Sequence, residues 1–165
     1  MATPTPVHNE LHRIATTGII WKEEGGTKKY LITKRAPHKK VWPNKWTVPG
    51  GGLEVSDYIN ADASHQNTES PQWYNVLAST LKREIAEEVG VDVEEGILLQ
   101  HLAFIRPDGI AVLVFSFYCK YVGGEVKLDE DATEFAWITA DEAKDYDFIQ
   151  GIDEEIRITE NKLNA

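Results

Sequence analysis

Three carboxylates in the segment Leu81–Val91, LKREIAEEVGV, have the type and spacing to do chemistry. Glu84, Glu87 and Glu88 stand at i, i+3 and i+4. On an α-helix these offsets gather side chains on one face, about 5–6 Å apart at Cβ. Three like charges so close repel one another. A hard divalent cation such as Mg²⁺ neutralises them through carboxylate oxygens and keeps positions for water and substrate phosphates. Taken alone, an acidic helix face is more often plain solvated surface. The flanking residues alter that balance. Gly50-Gly51-Gly52 precedes, Arg83 stands directly before Glu84, and Gly90 closes the segment.

The whole chain must be compatible with such a site. Its 165 residues carry 17 Lys+Arg against 27 Asp+Glu, a formal net charge of −10. That balance argues against a duplex-DNA binder held by a broad basic surface. It permits small pyrophosphates, provided a cation lies between protein and phosphate. Cys119 is the single cysteine. An internal disulfide, a zinc–cysteine cluster and a CxxC redox pair are thereby ruled out, and a reducing cytoplasm fits. No apolar run approaches the ~20 residues that cross a bilayer, and no secretory leader is expected at the N-terminus. The length and a hydrophobic content of 42% suit one α+β domain over residues 1–165.

The elements that would position the carboxylates follow from the pattern. Residues Met1–Glu10 are expected to form a loose tail. Ile14–Trp21 and Tyr30–Lys34 read as a β-hairpin around EEGGTKK. A loop over Ala36–Lys45 leads to a short strand at Trp46–Val48 and a glycine-rich loop at Gly50–Gly52. The polar stretch from about 55 to 70 reads as a long loop or insertion. From Pro71 the pattern is helical, with Val76, Leu77, Leu81, Ile85 and Val89 on the apolar face. Ile97–Ile105 and Ile110–Tyr121 predict a second hairpin across Pro107-Asp108-Gly109. Short strands near Glu125–Lys127 and at Glu134–Ile138 follow, then one or two helices from Ala140.

These residues resemble a known family. Pro49-Gly50-Gly51-Gly52-Leu53-Glu54 followed by Arg83-Glu84-Ile85-Ala86-Glu87-Glu88-Val89-Gly90-Val91 looks like the two halves of a Nudix box, G-x5-E-x7-R-E-U-x-E-E-x-G-U, with U a bulky apolar residue. The second half matches at every specified position. In the first half, the glutamate expected after Gly51 and five intervening residues is Asp57. The distance from Gly51 to Arg83 also exceeds the pattern by about 18 residues. Glu69, before Ser70-Pro71, is the alternative for the missing glutamate. Lys45–Pro49, Thr133–Ile138 and Asp141–Ala143 resemble further parts of the family, so the likeness runs from about Ile14 to Lys144.

The resemblance implies a Nudix fold, an α/β/α sandwich with a mixed β-sheet and the catalytic helix after a glycine-rich loop. It implies Mg²⁺- or Mn²⁺-dependent hydrolysis of a nucleoside diphosphate linked to another group. Glu84, Glu87 and Glu88 would then be the acidic metal site, with the Gly51 carbonyl beside them. Arg83 would hold a carboxylate in position. A box glutamate or a distant loop acid would orient water, and Glu130 or Asp131, in Asp129-Glu130-Asp131, resembles that acid. Arg35, Lys39 and Lys40 form a basic run suited to phosphate. Trp42 offers an aromatic face for a base, and Gly50 and Gly52 flank the site. Trp73 and Tyr74 suit packing beneath the insertion, and Trp46 suits packing beside the site. Cys119 reads as a buried small hydrophobe. The insertion is expected to border the site and affect substrate choice. Homodimers also occur among such relatives. Two rivals stay open: an isopentenyl-diphosphate-isomerase-like enzyme, and a non-catalytic nucleotide-binding Nudix domain.

Overall fold

The computed structural model describes residues 5–65 and 69–165. β1 (Arg13–Glu24) and β2 (Thr27–Arg35) form the first hairpin. Gly25 and Gly26 make its turn with φ of 60° and 78°, the left-handed pair that a tight hairpin turn demands. β3 (Trp46–Thr47) extends the sheet beside β2, and β4 (Gly50–Gly52) pairs antiparallel with β1. α1 (Val76–Glu88) follows, then β5 (Asp92–Val93), β6 (Ile97–Ile105), β7 (Ala111–Gly123) and β8 (Ala132–Ile138). β7 lies parallel to β1 and antiparallel to β5 and β6, while β8 lies antiparallel to β2. The sheet is thus mixed and eight-stranded among the described residues. α2 (Ile152–Leu163) ends the chain.

Both faces of this sheet are covered, which makes the three-layer α/β/α sandwich. Strand side chains alternate between faces, so the neighbours Ile19 and Ile20 enter different cores. Ile19, Tyr30, Ile32 and Ile138 pack with Ile152 and Ile156 of α2. Ile20, Leu31 and Cys119 pack with Leu81 and Ile85 of α1 and with Val89. Cys119 is buried and its thiol is pushed up to about 12 by that burial, the behaviour of a small hydrophobe. Trp46 packs edge-on against Tyr146, beside the α2-side core. No helix of the structure is long and apolar enough to cross a membrane.

The structure departs from the sequence expectations in four places. Gly50–Gly52 is a strand and not a loop, because β1 extends far enough to pair with it. α1 starts at Val76 and not near Pro71. Gln72 forms a β-bridge with His65, the Trp73 indole N–H donates to the Ala61 carbonyl, and Asn75 turns the chain with φ of 56°. These ties hold residues 72–75 back against the insertion. The segment 125–127 is irregular rather than a strand; its Lys127 N–H donates to the Val89 carbonyl and closes the end of α1. The described part of the tail, residues 5–10, is exposed but anchored by the Val7 N–H to the Gly109 carbonyl. From Ala140 the chain makes a short 3-10 turn (Asp141–Asp145) before α2. Part of the insertion, residues 66–68, lies outside the described residues.

Candidate active site

Leu81 and Ile85 anchor α1 on the sheet, and Val89, just past its end, packs beside them. The intervening Arg83, Glu84, Glu87 and Glu88 therefore face the rim formed by β4. Arg83 is the hub. Its Nε donates to Asp57 Oδ1 at 2.5 Å, and its Nη2 to Asp57 Oδ2 at 3.3 Å and to the Gly52 carbonyl at 3.0 Å. Its Nη1 donates to Glu84 Oε1 at 2.8 Å and to Glu87 Oε2 at 3.1 Å. One guanidinium thus links β4, the loop after it and two box carboxylates, using the fixed fork that arginine offers and lysine lacks.

Asp57, rather than Glu69, is the carboxylate that meets Arg83. It follows Gly51 at the interval of the pattern, so the extra residues begin after it and not at Val55. Its side chain is 1% exposed. It also accepts from Thr80 Oγ1 at 2.7 Å and from the Glu54 N–H at 2.9 Å. The Arg83 hydrogen bond holds this carboxyl down at about 2. Glu69 is exposed and off the cavity wall. Trp73 and Tyr58 pack ring against ring at 5.3 Å, and Tyr74 meets His65 at 5.4 Å, so these aromatics serve the insertion's own packing.

The other carboxylates sit where a cation would relieve them. Glu84 is buried, and Glu88 is half-buried with Oε2 accepting the Gly50 N–H at 2.9 Å. Burial raises the proton affinity of both, most for Glu88, which reaches about 8 with repulsion from Glu84, Asp129 and Asp131 added. Gly51 lies directly under Glu84. A Cβ there would fall 2.2 Å from Glu84 Oε1, so only glycine admits that carboxylate. Each box glutamate gives one oxygen to Arg83 or Gly50 and keeps the other uncommitted. As they stand, no three acidic, His or Cys side chains among the described residues converge into a metal cage. The donor set is all oxygen and short of positive charge, which suits a hard divalent cation.

These residues open onto a cavity of about 1110 Å³ that runs across the sheet. Arg35, Lys39, Trp42, Gly50, Gly51 and Gly52 all line it, as do Arg83, Glu84, Glu87 and Glu88. Arg35 donates from Nε and Nη2 to the Val41 carbonyl, which fixes the loop carrying Trp42. Trp42 packs on Phe104 at 5.7 Å. Asp131 lines the wall but is bound by Lys39 at 2.6 Å, and that hydrogen bond lowers its carboxyl below the usual range. Glu130 is not on the wall; it is exposed, and Asp129 lines the cavity in its place. Asp129 Oδ1 accepts the Asp131 N–H at 2.9 Å, which closes a tight turn around Glu130.

Several wall residues were not legible as site residues. Arg13 and Arg106 bring further positive charge to the cavity of an acidic protein. Arg13 lies over Gly52, where a Cβ would fall 2.4 Å from its Nη2. Gln100, Ser116 and Glu155 line the α2 side. They come from β6, β7 and α2, and no linear spacing joins them.

The comparisons with known proteins agree with this architecture. A protein from Klebsiella pneumoniae (strain 342), Nucleoside triphosphatase NudI, is 27% identical over 132 residues, covering 72% of this chain and 78% of that protein. Its Escherichia coli (strain K12) counterpart is 26% identical over 128 residues, with the same coverage. Among solved structures, the MutT protein from Methanosarcina mazei Go1 superposes with a TM-score of 0.69 at 17% identity, covering 99% of this chain and 100% of that one. The NUDIX domain of Shewanella oneidensis NrtR, solved with ADP ribose, gives a TM-score of 0.71 at 13% identity, covering 94% and 90%. The NUDIX domain profile matches residues 11–157. With that span, and with the box residues gathered around Arg83, the chain belongs to the NUDIX domain family and is a Nudix-type pyrophosphohydrolase.

Proposed function

We infer that this enzyme hydrolyses a pyrophosphate bond in a nucleoside triphosphate or a related nucleoside diphosphate derivative, with Mg²⁺ as its cation and Mn²⁺ as a substitute. The observation that carries the reading is the Arg83 hub, which holds Glu84 and Glu87 beside Glu88 and glycine strand β4 on the wall of a cation-lined cavity. The triphosphatase relatives support the nucleotide part.

Glu84, Glu87 and Glu88, with the carbonyl of Gly51, would hold the cation. When bound, it supplies charge neutralisation for the phosphates and acidifies water. The chain's own residues do the rest. Asp57 fixes Arg83, and Arg83 fixes Glu84 and Glu87. Arg35 and Lys39 are placed to meet phosphate oxygens by charge-assisted hydrogen bonds. Asp131 and Asp129 stand near Glu88, where a loop acid can orient the attacking water. Asp131 is a weak proton acceptor while Lys39 holds it, so orientation rather than proton removal is its natural part. Trp42 with Phe104 offers an aromatic surface for the base. The single buried Cys119 suits a reducing cytoplasm, and light scattering tests whether the chain forms a homodimer, as some relatives do.

The decisive experiment is Glu87→Gln, assayed for phosphate or pyrophosphate release from a panel of nucleoside triphosphates, oxidised dGTP and ADP-ribose. Glu87 is exposed, so the fold should survive. Wild-type turnover should require divalent cation, and the variant should lose it by 10²-fold or more. Turnover that persists in EDTA, or an unimpaired variant, overturns the metal-dependent reading. The rival isomerase reading is not favoured, because Cys119 is buried in the α1-side core and does not line the cavity.

A further inference from the structure

Position 52 falls among the unspecified residues of the Nudix box pattern, directly after Gly51, yet it holds glycine. Backbone conformation does not call for one there. The φ of Gly52 lies outside the left-handed region, so other residues could adopt it. Space is what calls for it. A Cβ on Gly52 would stand 2.4 Å from Nη2 of Arg13, 2.7 Å from its Cζ and 3.1 Å from its Nε, and these are the three nearest atoms. The Arg13 guanidinium therefore fills the room that a side chain at position 52 would take. Strand register explains the contact. Gly52 is the partner of Ala15, and Arg13 stands two residues before Ala15, on the same face of β1.

Arg13 differs from the other arginines that line the cavity. Arg83 is committed to Asp57, Glu84, Glu87 and the Gly52 carbonyl, Arg35 donates to the Val41 carbonyl, and Arg106 donates to Asp108 at 2.5 Å. Arg13 makes no hydrogen bond or ion pair among the described residues, although the chain carries 27 Asp+Glu. It is exposed, so its N–H donors are open to a ligand. Its place is beside the box. Neighbouring residues of a strand face opposite ways, and Gly51 meets Glu84 while Gly52 meets Arg13. Successive Cα atoms lie about 3.8 Å apart, so the guanidinium rests one residue from the Gly51 carbonyl of the cation site.

We propose that Arg13 is a phosphate-binding residue of this enzyme, seated on Gly52 to receive the phosphate group that departs. This rests on the pyrophosphate reading above and deepens it. Water adds to one phosphorus, the bridging P–O bond breaks, its electron pair stays on the departing phosphate, and the water yields a proton to solvent. The departing group gains negative charge as the bond breaks. A planar guanidinium with open donors stabilises that charge through paired hydrogen bonds. Arg83 is not free to do this, because its donors already hold the box carboxylates in place.

The test has two readouts on the full chain. Calorimetric binding of inorganic pyrophosphate with Mg²⁺ needs no turnover, and Arg13→Ala should weaken it roughly tenfold or more, the loss expected for a charged hydrogen bond. Arg13→Lys should weaken it less, since it keeps the charge without the fork. In steady-state hydrolysis of nucleoside triphosphates, Arg13→Ala should lower kcat/KM by roughly tenfold or more with an unchanged thermal midpoint. Gly52→Ala displaces the guanidinium and should lower both readouts, but in the Arg13→Ala background it should change neither, because nothing is left to displace. Pyrophosphate binding that is undetectable in the wild type, or equal in wild type and Arg13→Ala, overturns the proposal. So does unimpaired turnover in Arg13→Ala, or a Gly52→Ala loss as large without Arg13 as with it. Pyrophosphate binding that depends on Arg13 without any nucleotide turnover overturns the proposed reaction and leaves this assignment standing.

Discussion

Replacing Asp57 by Asn removes one charge from the Arg83 clamp and almost no volume. The side chain is 1% exposed, and its Arg83 partner is 24% exposed, so solvent screens the pair only in part. The carboxyl is held at about 2 by the Arg83 hydrogen bond, against about 3.9 in an unfolded chain. The unfolded state therefore binds more protons in acid, and stability falls as the pH drops through this interval. Each pKa unit is worth about 1.36 kcal/mol, so the lowering corresponds to about 2.6 kcal/mol, and discounting for the partly exposed Arg83 leaves about 2 kcal/mol above pH 5. Linkage leaves roughly half of that at pH 3 and almost none at pH 1. Urea unfolding of wild type and Asp57→Asn at pH 7, 5 and 3 measures the difference. The variant should lose about 2 kcal/mol at the two higher values and about half as much at pH 3, with unchanged m. An equal loss at all three values, or no loss at neutral pH, would refute the electrostatic account of the clamp.

Gly51→Ala should place a methyl on the Glu84 carboxylate, which lies 2.2 Å from the Cβ position. Cation-dependent turnover should drop by 10²-fold or more while the thermal midpoint moves only a few degrees, measured by steady-state kinetics and calorimetry. Ile156→Ala empties a fully buried position in the core under α2, and chemical denaturation should register a loss of about 2–5 kcal/mol. Native Cys119, 1% exposed and with its thiol pushed up to about 12, should resist a thiol reagent at pH 8 and react fully once unfolded.

Local patterns carried much of this protein's description. The spacing of Glu84, Glu87 and Glu88 follows from helix geometry alone, and the apolar runs Ile14–Trp21 and Tyr30–Lys34 read as a hairpin, while the covering of both sheet faces was implied only by the family resemblance. The Nudix likeness rests on Arg83-Glu84-Ile85-Ala86-Glu87-Glu88, a contiguous stretch, and contiguous stretches are what a sequence displays. Tertiary structure decided the rest, because each remaining question concerned residues far apart in the chain. Asp57 and Glu69 are both acids before a helix; only the approach of the loop after β4 to Thr80 and Arg83 brings one of them into the clamp. The glycines became a strand because β1 is long enough to give them a partner. Asp129 lines the cavity and Glu130 is exposed, in a turn that Asp129 Oδ1 closes on the Asp131 N–H. Glu155, Ser116, Gln100 and Thr17 meet across α2 and three strands. Net charge is a sum over the sequence, but where the positive residues gather depends on strand register. That is how a chain with a charge of −10 presents Arg13, Arg35, Lys39 and Arg106 to one cavity.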